Sequence, residues 1–450
     1  MAGSRGEFSS RFGFVMAASG SAVGLGNIWG FPTQAASNGG AAFLLVYLLL
    51  AFLLAYPVLM AELILGRHAH SNAVRALRQV SPLRNVSQIG ALTGIVGFIV
   101  ASLILSFYAI VAGWMIAFCL SAIAELAGAS AFANWLTSFG LWRNLLFMLI
   151  FIVLTISIVS AGVKQGIERW SERLMPILLI TLLALVLYVL TLDGAMTGLE
   201  VYLLPDFSRA LSPQLILDAL GSAFFSLSLG VGTMLIYGSY VSDDENLPLL
   251  GGIVTLVDIF VAVLAGFLVL PAMYVALHNG VEIFTQAGAL ISEDTLIFTV
   301  LPQLFATMGL PGILVAIIFF NLMTIAALTS SISMLEVPVA YAVEEFNAER
   351  HLAAWMIGGL IAGISGIILL NFELLFGLVV TLTTRYGQPI LGFMFCIYAG
   401  WLWRRDALLQ ELRKGYPNVE RGLFWKIWPW YVKLVCPLII AAIIGRSLFG

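Results

Sequence analysis

Residues 20–32 interrupt an apolar run that is otherwise long enough to cross a bilayer. They read Gly20-Ser21-Ala22-Val23-Gly24-Leu25-Gly26-Asn27-Ile28-Trp29-Gly30-Phe31-Pro32. Four glycines and a proline are poor material for a continuous helix. Within hydrocarbon, broken backbone survives only where it is buried in protein or lines a polar cavity. The stretch therefore reads as a helix opened at membrane depth, with carbonyls and amides freed for a ligand. Secondary transporters build their sites in this way.

The rest of the composition agrees with a membrane setting. Of 450 residues, 61% are hydrophobic and only 10% charged, with a mean hydropathy of +1.03. Soluble chains carry about 25% charged residues. The chain reads as an all-α polytopic membrane protein, a single transmembrane domain over 1–450. A net charge of −3 offers nothing to a nucleic acid. Cys119, Cys396 and Cys436 are odd in number, lack metal-ligand spacing and lie in apolar segments, so they read as small buried hydrophobes. The N-terminus is short and polar, and no cleavable leader is expected.

Apolar stretches of 18 or more residues read as spans, and about eleven are present. They run over 12–36 (broken), 41–66, 88–124, 143–161, 170–192, 217–240 (broken), 247–277, 311–344, 353–370, 375–402 and 427–447. Basic residues follow the second span (Arg67, Arg75, Arg78, Arg84), the fourth (Lys164, Arg169, Arg173) and the tenth (Arg404, Arg405, Arg413, Lys414, Arg421, Lys426). The opposite loops carry mainly acids, with Arg143 and Arg209 as exceptions. The positive-inside rule then places the N-terminus in the cytoplasm, and an odd span count places the C-terminus outside. The long loop at 278–310 has the character of a lid.

Two halves of the chain look alike. A Ser/Gly interruption recurs five spans after the first, at Phe225-Ser226-Leu227-Ser228-Leu229-Gly230-Val231-Gly232. Five is odd, so the copies (about 12–192 and 217–402, followed by an extra helix at 427–447) must be inverted. Paired interrupted helices in inverted repeats point to a binding site at the bilayer midplane. Small residues could instead serve close helix packing, but that does not account for Asn27, Ser226 and Ser228 at the same breaks.

At these residues the chain resembles the neurotransmitter:sodium symporter family, in particular its bacterial amino-acid transporters. The resemblance runs through Gly24-Leu25-Gly26-Asn27 with Phe31-Pro32, and Asn38-Gly39-Gly40-Ala41-Ala42-Phe43. It continues with Glu62, Gly66-Arg67, Ser106-Phe107-Tyr108, Gly113-Trp114 and Gly162-Val163-Lys164-Gln165-Gly166-Ile167-Glu168. Pro205-Asp206-Phe207, the Phe225 segment and Leu328-Thr329-Ser330-Ser331 complete it. The implied fold is an inverted five-plus-five helix repeat with the first and sixth helices broken, plus an eleventh helix.

The resemblance also implies sites. Sodium is a hard cation that takes oxygen ligands. One sodium ion would be held by the Ala22 carbonyl, Asn27, Ser226, Asp258 and the substrate carboxylate. A second would be held by the carbonyls of Gly20, Val23 and Ala326 with the hydroxyls of Thr329 and Ser330. The substrate pocket would comprise Ser21, Ala22, Leu25, Gly26, Ile104, Tyr108, Phe225, Ser226, Ser228, Val231, Ser330 and Met334. Amides at Leu25–Gly26, opening a half-helix, suit a carboxylate. Monoamine carriers have an aspartate where this chain has Gly24, and glycine there would leave room for an amino acid. Val231 would enlarge the pocket toward hydrophobic or aromatic side chains, unless Met334 fills the gap.

Asp258 can also be reached from depth. Eleven residues into its span, at about 1.5 Å each, it lies about 16 Å into a core of roughly 30 Å. A carboxylate there must be paired, protonated or bound to a cation. Chloride-dependent relatives carry a serine one turn later, where this chain has Ala262. Asp258 therefore reads as the fixed negative charge, and chloride as dispensable. Glu62 reads as a structural partner of the opened sixth span.

Some features depart from the family. The usual ionic outer gate is replaced by Gly30, Ser222 and Val380, so Tyr108 and Phe225 are expected to stack over the substrate. For the inner gate, Arg5 could pair with Glu344, with Phe8 and Tyr240 nearby, or Arg5 could be a plain positive-inside residue. Gly166 and Pro176 mark either an unwinding segment of the fifth span or an ordinary proline kink.

The function expected is sodium-coupled symport of a small amino acid or amino-acid-like zwitterion, hydrophobic or aromatic. It would run by alternating access in a bacterial inner membrane, with about two sodium ions and a monomer or weak dimer as the unit. A proton-coupled transporter or a non-transporting substrate sensor of the same fold are the alternatives. No HExxH or GxxxxGK[ST] occurs, and His68, His70, His278 and His351 sit at loops or span ends, so an enzyme is not expected.

Overall fold

A computed structural model describes residues 6–204, 212–283 and 296–449. Arg5, Pro205-Asp206-Phe207, Arg209, Glu293 and Asp294 lie outside them. The first span is bent by 53° between α1 (Arg11–Ala22) and α2 (Gly26–Ser37). It is followed by α3 (Ala41–Ala69), α4 (Arg84–Leu126), α5 (Leu141–Ser160) and α6 (Val163–Val189). The sixth span is α7 (Pro213–Ser226) and α8 (Thr233–Gly238), parted at 227–232. Then come α9 (Leu247–His278), α10 (Leu310–Phe346), α11 (Arg350–Leu370), α12 (372–402) and α13 (Leu423–Arg446). Among the described residues eight helices are long and apolar enough to cross a membrane, or nine with the bent pair counted as one span.

Two kinds of backbone feature position the site. The first is the break at 227–232, where Ser228, Gly230 and Gly232 all take positive φ (52°, 78° and 80°). Gly230 is needed twice over. Its φ is one that side chains avoid, and a Cβ would collide with the backbone carbonyl of Gln388. The second is a set of π-helical turns at Gly26–Gly30, Val163–Glu168 and Thr381–Gly387. Each shifts the register of the residues that follow, and such bulges gather at functional sites. The long helices α4 and α10 pack along one another, and α10 also packs against α1. Leu49, Ile180, Leu187, Leu256 and Leu360 remain exposed on the outer faces, as lipid-facing residues should.

The end of the bundle that carries the basic loops is tied by a buried ion pair. Arg67, fully buried, donates to Glu411 Oε1 at 2.8 Å, to the Glu411 carbonyl at 2.6 Å and to the Glu245 carbonyl at 2.7 Å. Lys414 reaches the other Glu411 oxygen at 2.9 Å, and a His68 ring nitrogen lies 3.3 Å from it. Burial alone would raise the Glu411 carboxyl. The hydrogen bonds of His68, Lys414 and Arg67 outweigh it and hold the group down at about 2. Its stabilisation is thus present above the ordinary carboxylate range and is lost as pH falls toward 2. Breaking one side of a buried pair costs about 3–5 kcal/mol. Glu411→Gln should lower the thermal midpoint of the purified protein by several degrees and remove the part of its acid sensitivity below pH about 4. An unchanged melting curve would assign the link no structural weight.

Candidate substrate and cation sites

The two breaks face one another. Ala22, Gly24, Leu25, Gly26, Ile104, Tyr108, Phe225, Ser228, Val231, Ser330, Met334 and Gln388 surround a void of about 10 Å³, the space of one water. Ten of the pocket residues expected from sequence meet there. Gly24 and Gln388 are additions. Ser21 and Ser226 turn elsewhere, Ser21 donating to Ser333 at 2.7 Å and Ser226 to Asp258. At one end of the void the Leu25 amide donates to the Tyr108 hydroxyl at 3.1 Å. The Phe225 ring closes on the α-carbon of Gly26, where an added Cβ would come within 2.8 Å of it.

Gly24 has a different reason from the one expected. A Cβ there would lie 2.5 Å from Ser330 Oγ and 2.8 Å from the Tyr108 hydroxyl. The space beside Gly24 is therefore filled by these two hydroxyls, and glycine lets them approach the first break.

On the α9 side a polar knot is buried in apolar surroundings. Asn27 Nδ2 donates to Asp258 Oδ1 at 2.7 Å and to Ser226 Oγ at 2.8 Å. Ser226 Oγ donates to the Asp258 carboxylate at 2.8–2.9 Å, and the Tyr47 hydroxyl lies 3.5 Å from Asp258 Oδ2. Asn27, Asp258 and Tyr47 are fully buried. Every partner of Asp258 here is a neutral donor. A buried carboxylate so placed requires a proton or a cation. Asn27 Oδ1 accepts from the Gly24 amide at 3.1 Å, so presenting that oxygen to a cation beside Asp258 means turning the amide over. Tyr47 carried no signal in the sequence: it is one aromatic in an apolar helix.

On the α10 side the groups are all oxygen. Ser330 Oγ donates to the carbonyls of Gly20 at 3.3 Å and Val23 at 3.2 Å. Thr329 Oγ1 donates to the Ala326 carbonyl at 3.0 Å. The Ser330 proton thus bridges two carbonyls of the opened first span, where a cation would draw the same oxygens together. Glu62 Oε1 accepts from the Gly230 amide at 2.7 Å, which ties α3 to the second break as the sequence suggested.

The sequence profile of the sodium:neurotransmitter symporter family matches residues 5–141 and 132–449. The chain belongs to this family. It is 34% identical to a sodium-dependent transporter of Bacillus subtilis over 99% of its own length and 98% of the relative's. A sodium-dependent transporter of Haemophilus influenzae is 32% identical with the same coverage. The dog sodium- and chloride-dependent taurine transporter is 26% identical over 95% of this chain and 75% of its own. The crystal structure of MhsT in complex with L-phenylalanine superposes with a TM-score of 0.84 at 35% identity, covering 98% of this chain and all of that one. The fold is accordingly the symporter fold, an inverted five-plus-five repeat with helices one and six broken and an eleventh helix added. The protein is a sodium-dependent membrane transporter and not an enzyme.

Both faces of this symporter are closed, by different chemistry. At the end away from the basic loops, Gly30, Ser222 and Val380 provide no ion pair. Tyr108 and Phe225 do not stack, contrary to the sequence expectation. The Tyr108 hydroxyl is drawn to the Leu25 amide, while Phe225 lies over Gly26. Closure falls to Phe298, on a helix at Leu296–Thr307, whose ring meets Trp29 at 5.9 Å, Trp114 at 5.4 Å and Phe118 at 5.2 Å. The deeply buried Arg143 lies against Phe118 and Phe139 in the same cluster.

At the end that carries the basic loops, Tyr240 donates to Glu336 Oε1 at 2.5 Å, and Arg350 holds both oxygens of that carboxylate. Phe8 packs edge-on against Tyr237 and Tyr240, and its amide donates to the Tyr240 carbonyl at 3.1 Å. Ser9 caps onto Glu168 through its amide and its hydroxyl. Glu344 accepts from Ser71 and Asn72, and its expected partner Arg5 lies outside the described residues. Pro176 sits in an unbroken α6.

Two outcomes follow. Gly24→Ala forces Ser330 and Tyr108 apart, so sodium-dependent substrate binding should weaken at least about tenfold with little change in fold; unaltered affinity would show the contacts to be slack. Phe298→Ala should open the outer face. A cysteine placed at Gly30 should then react several-fold faster with a membrane-impermeant thiol reagent than in the parent, and an equal rate would return closure to other residues.

Proposed function

We propose that this protein is a sodium-coupled secondary symporter of a small amino acid with a hydrophobic or aromatic side chain, working by alternating access and without chloride. The observation that carries the reading is the meeting of two opened helices around one void. The amide end at Leu25–Gly26, which Tyr108 now occupies at Leu25, suits a carboxylate. Asp258 with Asn27 and Ser226 makes one cation site, and Gly20, Val23, Ala326, Thr329 and Ser330 make another. Two sodium ions are transported as co-substrates, and the ion at Asp258 would share the substrate's carboxylate. Each charge moved gains roughly 2.3 kcal/mol per 100 mV of inside-negative potential. The basic loops support a cytoplasmic N-terminus and an external C-terminus in a bacterial inner membrane.

Chloride independence rests on Asp258, which already supplies the negative charge that a bound anion would otherwise bring. In proteoliposomes, uptake of hydrophobic amino acids should be concentrative with sodium outside and unchanged within about twofold when chloride is replaced by gluconate. Asp258→Asn should lower apparent sodium affinity at least about tenfold. A strict chloride requirement would refute the role of Asp258. Uptake driven by a pH gradient without sodium would establish proton coupling instead, and binding without accumulation would establish a sensor.

A further inference from the structure

Gln388 is a pocket residue that neither the carboxylate end nor the two cation sets use. It follows directly on the π-helical turn Thr381–Gly387, which resets the register of α12 and turns this position inward. The side chain is 3% exposed and borders the void. Its Nε2 donates to the Leu229 carbonyl at 3.2 Å, an oxygen left without a helical partner by the second break. Because that partner can only accept, the orientation of the amide is fixed. The amide carbonyl Oε1 is then the free end, and among the described residues it receives no hydrogen bond. The backbone of Gln388 is pressed against Gly230, so the residue cannot withdraw. The apolar side chains of Ile104, Val231 and Met334 line the same void, while the carboxylate end at Leu25 and Tyr108 belongs to the opposite helix break.

We infer that Gln388 Oε1 accepts a hydrogen bond from the side chain of the substrate. The pocket is then specific for a side chain that is apolar over most of its surface but carries a single N–H donor, an indole. This deepens the function proposed above and rests on it. An apolar wall with one oriented acceptor favours such a donor and penalises its absence, because the buried carbonyl is otherwise unpaired. The rival role is support alone, with Gln388 serving only to hold the Leu229 carbonyl.

The test is sodium-dependent binding of three probes to the purified full-length protein: tryptophan, 3-benzothienylalanine (sulfur in place of the indole N–H at nearly the same size) and phenylalanine. The wild type should bind tryptophan about tenfold tighter than benzothienylalanine. Gln388→Leu should bring tryptophan down to the benzothienylalanine level, weakening tryptophan about tenfold more than it weakens phenylalanine. Equal affinity of the wild type for tryptophan and benzothienylalanine overturns the inference, and needs no variant to fold. Equal weakening of tryptophan and phenylalanine in Gln388→Leu overturns it in favour of support. Absence of sodium-dependent binding of any amino acid by the wild type overturns the function proposed above, and this inference with it. Intact binding without an N–H preference overturns this inference alone.

Discussion

Peptide groups released at the middle of a bilayer have no water to turn to, and the rest of this structure answers that one constraint. Many of the freed groups have a partner within the protein. The Leu25 amide donates to Tyr108, the Gly24 amide to Asn27 and the Gly230 amide to Glu62. The carbonyls of Gly20 and Val23 accept from Ser330, that of Ser21 from Ser228, and that of Leu229 from Gln388. Asn27 is local and Ser228 comes from the other break, while the remaining partners come from α3, α4, α10 and α12, helices far away in sequence. The same oxygens and amides are what a hard cation and a carboxylate require. Structural support and binding surface are one set of atoms, and a ligand competes with internal hydrogen bonds rather than entering a preformed hole.

This accounts for what could be read from the chain and what could not. The breaks were legible because glycine and proline act locally, and an inverted repeat follows from counting spans. Asp258 was legible because a lone carboxylate eleven residues into an apolar run is an anomaly on any scale. Tyr47, Gln388 and Phe298 were not. Each is an unremarked residue in its own helix and acquires its role only from a partner supplied by packing. Gln388 also lies beyond a π-helical turn, which defeats a register counted at 3.6 residues per turn. Gly24 was legible as a glycine that matters, but the physical reason lay in two side chains from α4 and α10. The stacking expected of Tyr108 and Phe225 failed because the Tyr108 hydroxyl has a better use at the Leu25 amide.

The two gates divide the labour by chemistry. The end away from the basic loops is packed with rings around Phe298, which exclude water without fixing a charge. The end with the basic loops holds a buried carboxylate, Glu336, bound by Tyr240 and Arg350, together with the capping of Ser9 by Glu168. An aromatic closure is short-ranged and tolerant of geometry. A buried ion pair is costly to break from one side. Opening the end that carries the basic loops therefore demands the larger reorganisation, and it falls on the segments that follow α8 and precede α1.

The most direct measurement is an experimental structure of the full-length protein in sodium with an amino acid bound. The account predicts cation density between Asn27 and Asp258, with the Asn27 amide turned so that its oxygen faces the ion. It predicts a second peak among the oxygens of Gly20, Val23, Ala326, Thr329 and Ser330. Continuous helix through 20–26 and 225–232, or opened segments with no cation at either place, would contradict it.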